Sequence, residues 1–131
     1  MKYNDLWYET LKKPDFTPSP AVFPVAWNIL YAMMFIALLL IIFHEENIYK
    51  KYAYILFGLQ LLANFYWVVC FFREHNLYKA FIVAIILSVL VGMTMSVFFL
   101  ISKFAGVLFL PYFLWCSFAA ILSYNIFKLN S

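Results

Sequence analysis

Long uninterrupted runs of apolar residues dominate the chain. No Asp, Glu, Lys or Arg occurs in 16–43, 52–72, 80–102 or 104–127. Each run is at least as long as the roughly 20 residues that a helix needs to cross the hydrocarbon core of a bilayer. We therefore predict four transmembrane helices, at about 21–43, 52–72, 80–101 and 104–127.

The charged residues are confined to the termini and the connections. A charge at the centre of a bilayer costs about 3 kcal/mol on insertion scales, so this segregation is what a membrane protein requires. The connections 44–51, 73–79 and 102–103 are short, and short connections join antiparallel neighbours. We predict an all-α membrane protein, an up-down bundle of four transmembrane helices in 21–131, preceded by an interfacial or lid segment in 1–20. The last two helices should pack side by side.

Composition and charge narrow the class further. Of the 131 residues, 67% are hydrophobic and only 11% charged, against about 25% charged in soluble domains. The net charge of +3 comes without any basic run longer than two residues, which argues against a nucleic-acid partner. The basic residues divide six to three between the two ends of the predicted bundle. On one side are Lys2, Lys12, Lys13, Arg73, Lys79 and Lys128, and on the other Lys50, Lys51 and Lys103. This bias predicts that both termini are cytoplasmic.

Two amides lie inside the second predicted span. Gln60 and Asn64 are spaced i, i+4 and share one helical face with Trp67. Interhelical hydrogen bonding and the lining of a ligand cavity are both open interpretations of such a face.

Aromatic residues form stripes on the first and last spans. Phe23, Trp27, Leu30 and Met34 follow one face of the first span, with Tyr31 one turn after Trp27. Trp115, Ala119, Leu122 and Ile126 follow one face of the last. Core packing and a cavity for a flat, apolar ligand both explain these stripes. On the third span, the small residues Ser88, Gly92 and Ser96 recur every four positions, which indicates close helix packing.

Residues suited to catalysis or metal binding are sparse. Cys70 and Cys116 lie in apolar stretches, where cysteine acts as a small buried hydrophobe, and no zinc-ligand spacing occurs. His44 and His75 lie in short connections. We predict no metal, no cofactor and no catalytic residue. The spans lack a carboxylate, which argues against a proton-coupled drug exporter.

Several motifs together resemble one known family. Trp7-Tyr8, Leu11, Lys13-Pro14 and Pro18 are similar to a loop signature of the translocator protein (TspO) family. This family is also called the tryptophan-rich sensory proteins or peripheral benzodiazepine receptors. The segments Phe23-Pro24-Val25-Ala26-Trp27 and Leu30-Tyr31 resemble its second helix, Gln60…Asn64…Trp67 its third, and Pro111-Tyr112…Trp115…Phe118-Ala119…Leu122 its fifth.

The chain departs from the family pattern in places. Family members typically have five helices, and this chain starts at the loop after the first. The resemblance therefore implies helices two to five of the family fold, with a gap or a compensating oligomer where the first helix would close the bundle. Phe16 and Ala21 stand where many members have Trp, Val83 where some have Asp, and Ser123 where Asn is common.

The resemblance implies a membrane receptor or translocator that binds flat, apolar ligands between its helices, with no cofactor. Tetrapyrroles such as protoporphyrin IX, sterols and benzodiazepine-type drugs are the ligand classes, and a homodimer is compatible with it. Carried over by position, the ligand-binding residues are Phe23, Trp27, Tyr31, Gln60, Asn64, Trp67, Trp115, Ala119 and Leu122, and the lid residues are Trp7 and Pro14. Degradation of porphyrin and a role as a small membrane subunit are the alternative functions.

The end of the last span carries a weaker motif. Leu122, Tyr124 and Lys128 fit a cholesterol-contact pattern, although an interfacial anchor explains the last two equally well. The resemblance places the chain in a bacterial plasma membrane, or in the mitochondrial outer membrane of a eukaryote. The short chain without a targeting extension favours the bacterial membrane.

Overall fold

The computed structural model describes residues 22–70 and 76–130. They form four α-helices: α1 (Val22–Ile42), α2 (Lys50–Val68), α3 (Leu77–Ile101) and α4 (Lys103–Leu129). The predicted all-α fold with four helices is confirmed. The helix ends agree with the prediction to within three residues, apart from the end of α2. There the α-helix runs to Val68, a π-helical turn follows at Val69 and Cys70, and the predicted end at 72 lies outside the described residues.

Side-chain caps fix the starts of the last two helices. The side chain of Asn76 accepts a hydrogen bond from the backbone N–H of Lys79 at 3.0 Å, which satisfies a donor that the first turn of α3 leaves open. Ser102 is both the C-cap of α3 and the N-cap of α4. Its hydroxyl accepts a hydrogen bond from the backbone N–H of Ala105 at 3.3 Å. One extended residue thus reverses the chain, and α3 and α4 pack side by side as predicted.

A lysine closes the connection between α1 and α2. Lys50 opens α2, yet its side chain is buried, with 8% exposed. Its ammonium group donates to the carbonyl oxygens of Ile42, at 3.3 Å, and of His44. These carbonyls lie at the end of α1, where backbone acceptors lack helical partners and a positive charge is favourable. Lys50 therefore ties the end of α1 to the beginning of α2.

The spatial order of the helices differs from their order in the chain. Besides the α3–α4 pair, α2 packs against α3, and α1 packs against α4. The order around the bundle is thus α1, α4, α3, α2. The buried interior is apolar along most of its length, with Met34, Ile41, Val91, Phe98 and Phe109 among its fully buried side chains.

The outer surface is also apolar. Leu62, Phe104 and Val25 are at least 60% exposed, as expected where lipid rather than water surrounds the protein. The apolar segment Val25–Ile42 and the whole of α3 and α4 are long and apolar enough to cross a membrane. The second predicted span, α2, does not reach the same apolarity, because it begins with two lysines and contains Gln60 and Asn64. Its membrane crossing stays a prediction.

Two glycines bring α3 and α4 together. A Cβ at Gly106 would overlap the ring of Phe99, and one at Gly92 would lie 3.0 Å from a ring carbon of Phe113. For Gly92 this confirms the predicted close packing of the small-residue face. Ser88 and Ser96 line a groove beside this contact, together with Gly92 and Phe113.

We expect Gly106→Ala to destabilise the bundle and Gly58→Ala to leave it unchanged or stabilise it. The first methyl group would overlap Phe99, and overpacking of this kind costs about 1–3 kcal/mol. The second would meet nothing within 4 Å, and alanine is about 1 kcal/mol better than glycine within a helix. Thermal unfolding in detergent measures both. Equal effects of the two substitutions would contradict this account of the α3–α4 contact.

Candidate ligand-binding site

A chain of hydrogen bonds crosses the interior and joins three helices. The Tyr31 hydroxyl on α1 donates to Asn64 Oδ1 on α2 at 2.7 Å. Asn64 Nδ2 donates to the hydroxyl oxygen of Tyr112 on α4 at 2.9 Å, and that hydroxyl donates to Gln60 Oε1 at 2.7 Å. Gln60 Nε2 is 3.5 Å from the sulfur of Met34, a weak acceptor. Both amides therefore have partners in an interior where neither has exposed surface.

Aromatic rings surround this chain, with Trp27 at their centre. The Trp27 ring stacks on Tyr31 with a centroid separation of 5.6 Å and lies 6.4 Å from Trp67. It meets Tyr112 and Trp115 edge to face, each at 6.3 Å. These separations and angles are typical of favourable aromatic pairs. Three helices thus contribute to one continuous cluster, which we call the aromatic–amide cluster: Trp27, Tyr31, Gln60, Asn64, Trp67, Tyr112 and Trp115.

The side chains of the aromatic–amide cluster pack against one another and are largely buried. Gln60 and Asn64 have no exposed surface, and Trp27 is 2% exposed. The Trp27 Nε1–H is buried and has no hydrogen-bond partner among the described residues. A buried donor without an acceptor is unfavourable, so this N–H is a polar group of the cluster that an added acceptor would satisfy.

Space for a ligand lies beside the cluster, on the face between α1 and α4. A groove of about 620 Å³ opens there, and its lining is apolar. The groove is lined by Ala26, Ile29, Leu30, Pro111, Leu114, Trp115 and Phe118. Its volume is in the range of small-molecule sites. Trp115 belongs to both features, because its ring lines the groove and also contacts Trp27.

Comparison with known sequences identifies the family of the chain. A sequence model of the TspO/MBR family matches residues 1–129. The chain belongs to the TspO/MBR family.

Relatives within the family come from bacteria and animals. The chain is similar to the tryptophan-rich sensory protein of Cereibacter sphaeroides, at 34% identity over 126 residues, covering 96% of this chain and 78% of the relative. It is 33% identical to the tryptophan-rich protein TspO of Chlorobaculum tepidum, covering 95% and 79%. The translocator protein of Sus scrofa is 28% identical, with 95% and 75% covered. Membership and the apolar helices together make this a multi-pass membrane protein.

The structure brings most of the predicted TspO-type site residues together. Gln60, Asn64 and Trp67, which the sequence places on one face, are buried, and Trp27 and Tyr31 contact them from α1. Trp115 joins from α4. Ala119 is only partly buried, and Leu122 is buried at 5% exposure, without a described contact to the cluster.

Other predicted positions are less well placed or not described. The side chain of Phe23 and the lid residues Trp7 and Pro14 lie outside the described part of the structure. The three residues of the sterol-contact pattern do not share a face. Leu122 points into the core, whereas Tyr124 is 40% exposed and has the Lys128 ammonium 5.5 Å from its ring centroid.

Sequence reasoning missed Tyr112 as a site residue. It is the central member of the hydrogen-bond chain, because its hydroxyl contacts both amides. Its spacing carried the signal, since Tyr112 lies three residues before Trp115 and seven before Ala119, on the same helical face. A phenol hydroxyl in the middle of an apolar span needs a partner, and the facing amides are suitable partners.

We expect Tyr112→Phe to destabilise the protein by about 2 kcal/mol. The substitution keeps the ring but leaves Asn64 Nδ2 and Gln60 Oε1 buried without a partner, and each such group costs about 1–3 kcal/mol. Unfolding in detergent measures the loss. Tyr124→Phe is the matched control, because its exposed hydroxyl makes no hydrogen bond to the described residues. Equal stability of Tyr112→Phe and the parent protein would contradict the proposed importance of the hydrogen-bond chain.

Proposed function

We propose that this TspO-family protein binds flat, apolar ligands that reach the groove between α1 and α4 from the bilayer. The tetrapyrrole protoporphyrin IX is the ligand class that we favour. The observation that carries the proposal is the position of the groove. Trp115 lines the groove and is also part of the aromatic–amide cluster.

The lining of the groove suits a flat ring system. Its walls are almost entirely apolar, and Trp115 and Phe118 contribute aromatic rings whose centroids lie 5.6 Å apart. Aromatic faces stack on a planar macrocycle, and burial of apolar area supplies most of the affinity at such a site. The groove faces the surface that we assign to lipid, so an apolar ligand dissolved in the bilayer needs no path through water.

The cluster supplies polar specificity. The Trp27 N–H lacks an acceptor among the described residues, and Gln60 Nε2 has only the thioether of Met34. Both are donors, so the cluster favours a ligand edge that presents a carbonyl or another acceptor. Because the cluster is filled by its own side chains, a ligand that reaches these donors has to displace a ring. Trp115, which is only partly buried and lines the groove, is the cluster ring that such a ligand meets first.

We expect detergent-purified protein to bind protoporphyrin IX saturably, with quenching of tryptophan fluorescence. Titration in the dark separates binding from light-driven loss of the porphyrin. Ala26→Phe should weaken binding about ten-fold, equivalent to about 1.4 kcal/mol, because the new ring would occupy the groove. This substitution keeps every tryptophan, so the fluorescence signal stays comparable.

Ala120→Phe is the matched control for this titration. Ala120 lines a separate groove of about 350 Å³ between α3 and α4, so the same change there should leave porphyrin affinity unchanged. Binding without saturation, or equal affinities for Ala26→Phe and the parent protein, would contradict binding in the α1–α4 groove.

A further inference from the structure

A second groove lies between α3 and α4, and the proposed function makes no use of it. It has a volume of about 350 Å³ and an apolar lining. Its lining residues are Phe81, Ile85, Ala120, Ile121 and Tyr124, none of which lines the α1–α4 groove. We call it the Tyr124 groove. Ile85 and Ile121 are 42% and 57% exposed, so the groove opens onto the surface that we assign to lipid.

The character of the groove changes along its length. Ala120, Tyr124 and Lys128 follow one another at intervals of four residues on α4, so each lies about 5.4 Å closer to the helix end than the one before. The Phe81 ring packs against Tyr124 from α3, with a centroid separation of 5.0 Å. The Lys128 ammonium lies 5.5 Å from the centroid of the Tyr124 ring. The groove therefore has an apolar inner end and a positively charged outer end.

A second lysine lies at the same end of the bundle. Lys79, in the first turn of α3, places its ammonium 5.0 Å from the centroid of the Tyr66 ring on α2. A cation–π contact positions an ammonium group without cancelling its charge. The carboxylates of the described residues, Glu45 and Glu46, lie at the opposite end, in the connection between α1 and α2. The described charges near the outer end of the Tyr124 groove are therefore positive.

We propose that the Tyr124 groove binds an anionic phospholipid, with the headgroup phosphate at Lys128 and an acyl chain along Ile85 and Ile121. The order of charge and apolar surface along the groove matches the order of headgroup and chain in a phospholipid. Basic pockets between transmembrane helices bind anionic headgroups, and a hydrogen bond between ammonium and phosphate is charge-assisted. A sterol presents only a neutral hydroxyl to the lysine, and Leu122 of the sterol-contact pattern points into the core.

The first test compares two phospholipids with identical acyl chains, phosphatidylglycerol and phosphatidylcholine, by native mass spectrometry of the full chain in detergent. The parent protein should retain phosphatidylglycerol in preference. Lys128→Gln should weaken its binding about five-fold, the effect of one lysine near an anionic headgroup, and Lys128→Arg should retain it. Lys103→Gln is the matched control. It removes the same charge from an exposed residue at the other end of α4 and should leave phosphatidylglycerol binding unchanged.

The second test examines the apolar part of the site and keeps Lys128 in place. Ala120→Phe should lower the retention of phosphatidylglycerol, because the new ring would occupy the groove. Ala26→Phe, which fills the α1–α4 groove instead, should leave it unchanged. Circular dichroism and thermal unfolding check that both variants fold. In the parent protein, phosphatidylglycerol with a photoreactive diazirine in the middle of one acyl chain should label peptides that contain 81–85 and 120–124.

Four outcomes would overturn the proposal. Equal retention of the two phospholipids by the parent protein would mean that the groove does not select an anionic headgroup. Equal losses in Lys128→Gln and Lys103→Gln would assign the effect to net charge rather than to this site. Displacement of phosphatidylglycerol by millimolar inorganic phosphate would mean that Lys128 binds an anion without the help of the groove. Cholesterol that excludes phosphatidylglycerol, equally well in the parent and Lys128→Gln proteins, would make the groove a sterol site.

Discussion

Two fully buried amides require hydrogen-bond partners that only the protein can supply, and the arrangement of the helices follows from this requirement. Gln60 and Asn64 both turn to the hydroxyl of Tyr112, and Asn64 also accepts from Tyr31. A rotation of α2 by one residue, about 100°, would carry both amides out of the interior. The hydrogen-bond chain therefore fixes the rotation of α2 relative to α1 and α4, and the aromatic rings pack around that fixed geometry.

Much of the fold follows from the distribution of charge along the chain. The charge-free runs predicted four helices, and the two-residue connection 102–103 predicted that α3 and α4 pack together. The spatial order of the helices was harder to predict from the sequence. The pairing of α1 with α4 depends on contacts between residues more than 80 positions apart, such as Trp27 and Trp115. Tyr112 shows the same difficulty, since its importance comes from the residues that face it.

The interior also shows why a cavity is harder to predict than a face. The i, i+4 spacing placed Gln60 and Asn64 on one face, but spacing does not say whether side chains or empty space lie opposite it. Here the rings of Tyr31, Tyr112 and Trp27 occupy that position, and open volume lies beside the cluster. Under the proposed function, a ligand that reaches the buried donors has to displace rings that also stabilise the bundle.

The proximity of three tryptophans to one another has a spectroscopic consequence. The ring of Trp27 lies 6.4 Å from that of Trp67 and 6.3 Å from that of Trp115. Transition dipoles at such short range couple, and excitation energy passes readily between the rings. The three indoles should therefore give an exciton couplet in circular dichroism. Because they share excitation energy, a quencher in contact with any one of them should reduce the fluorescence of all three.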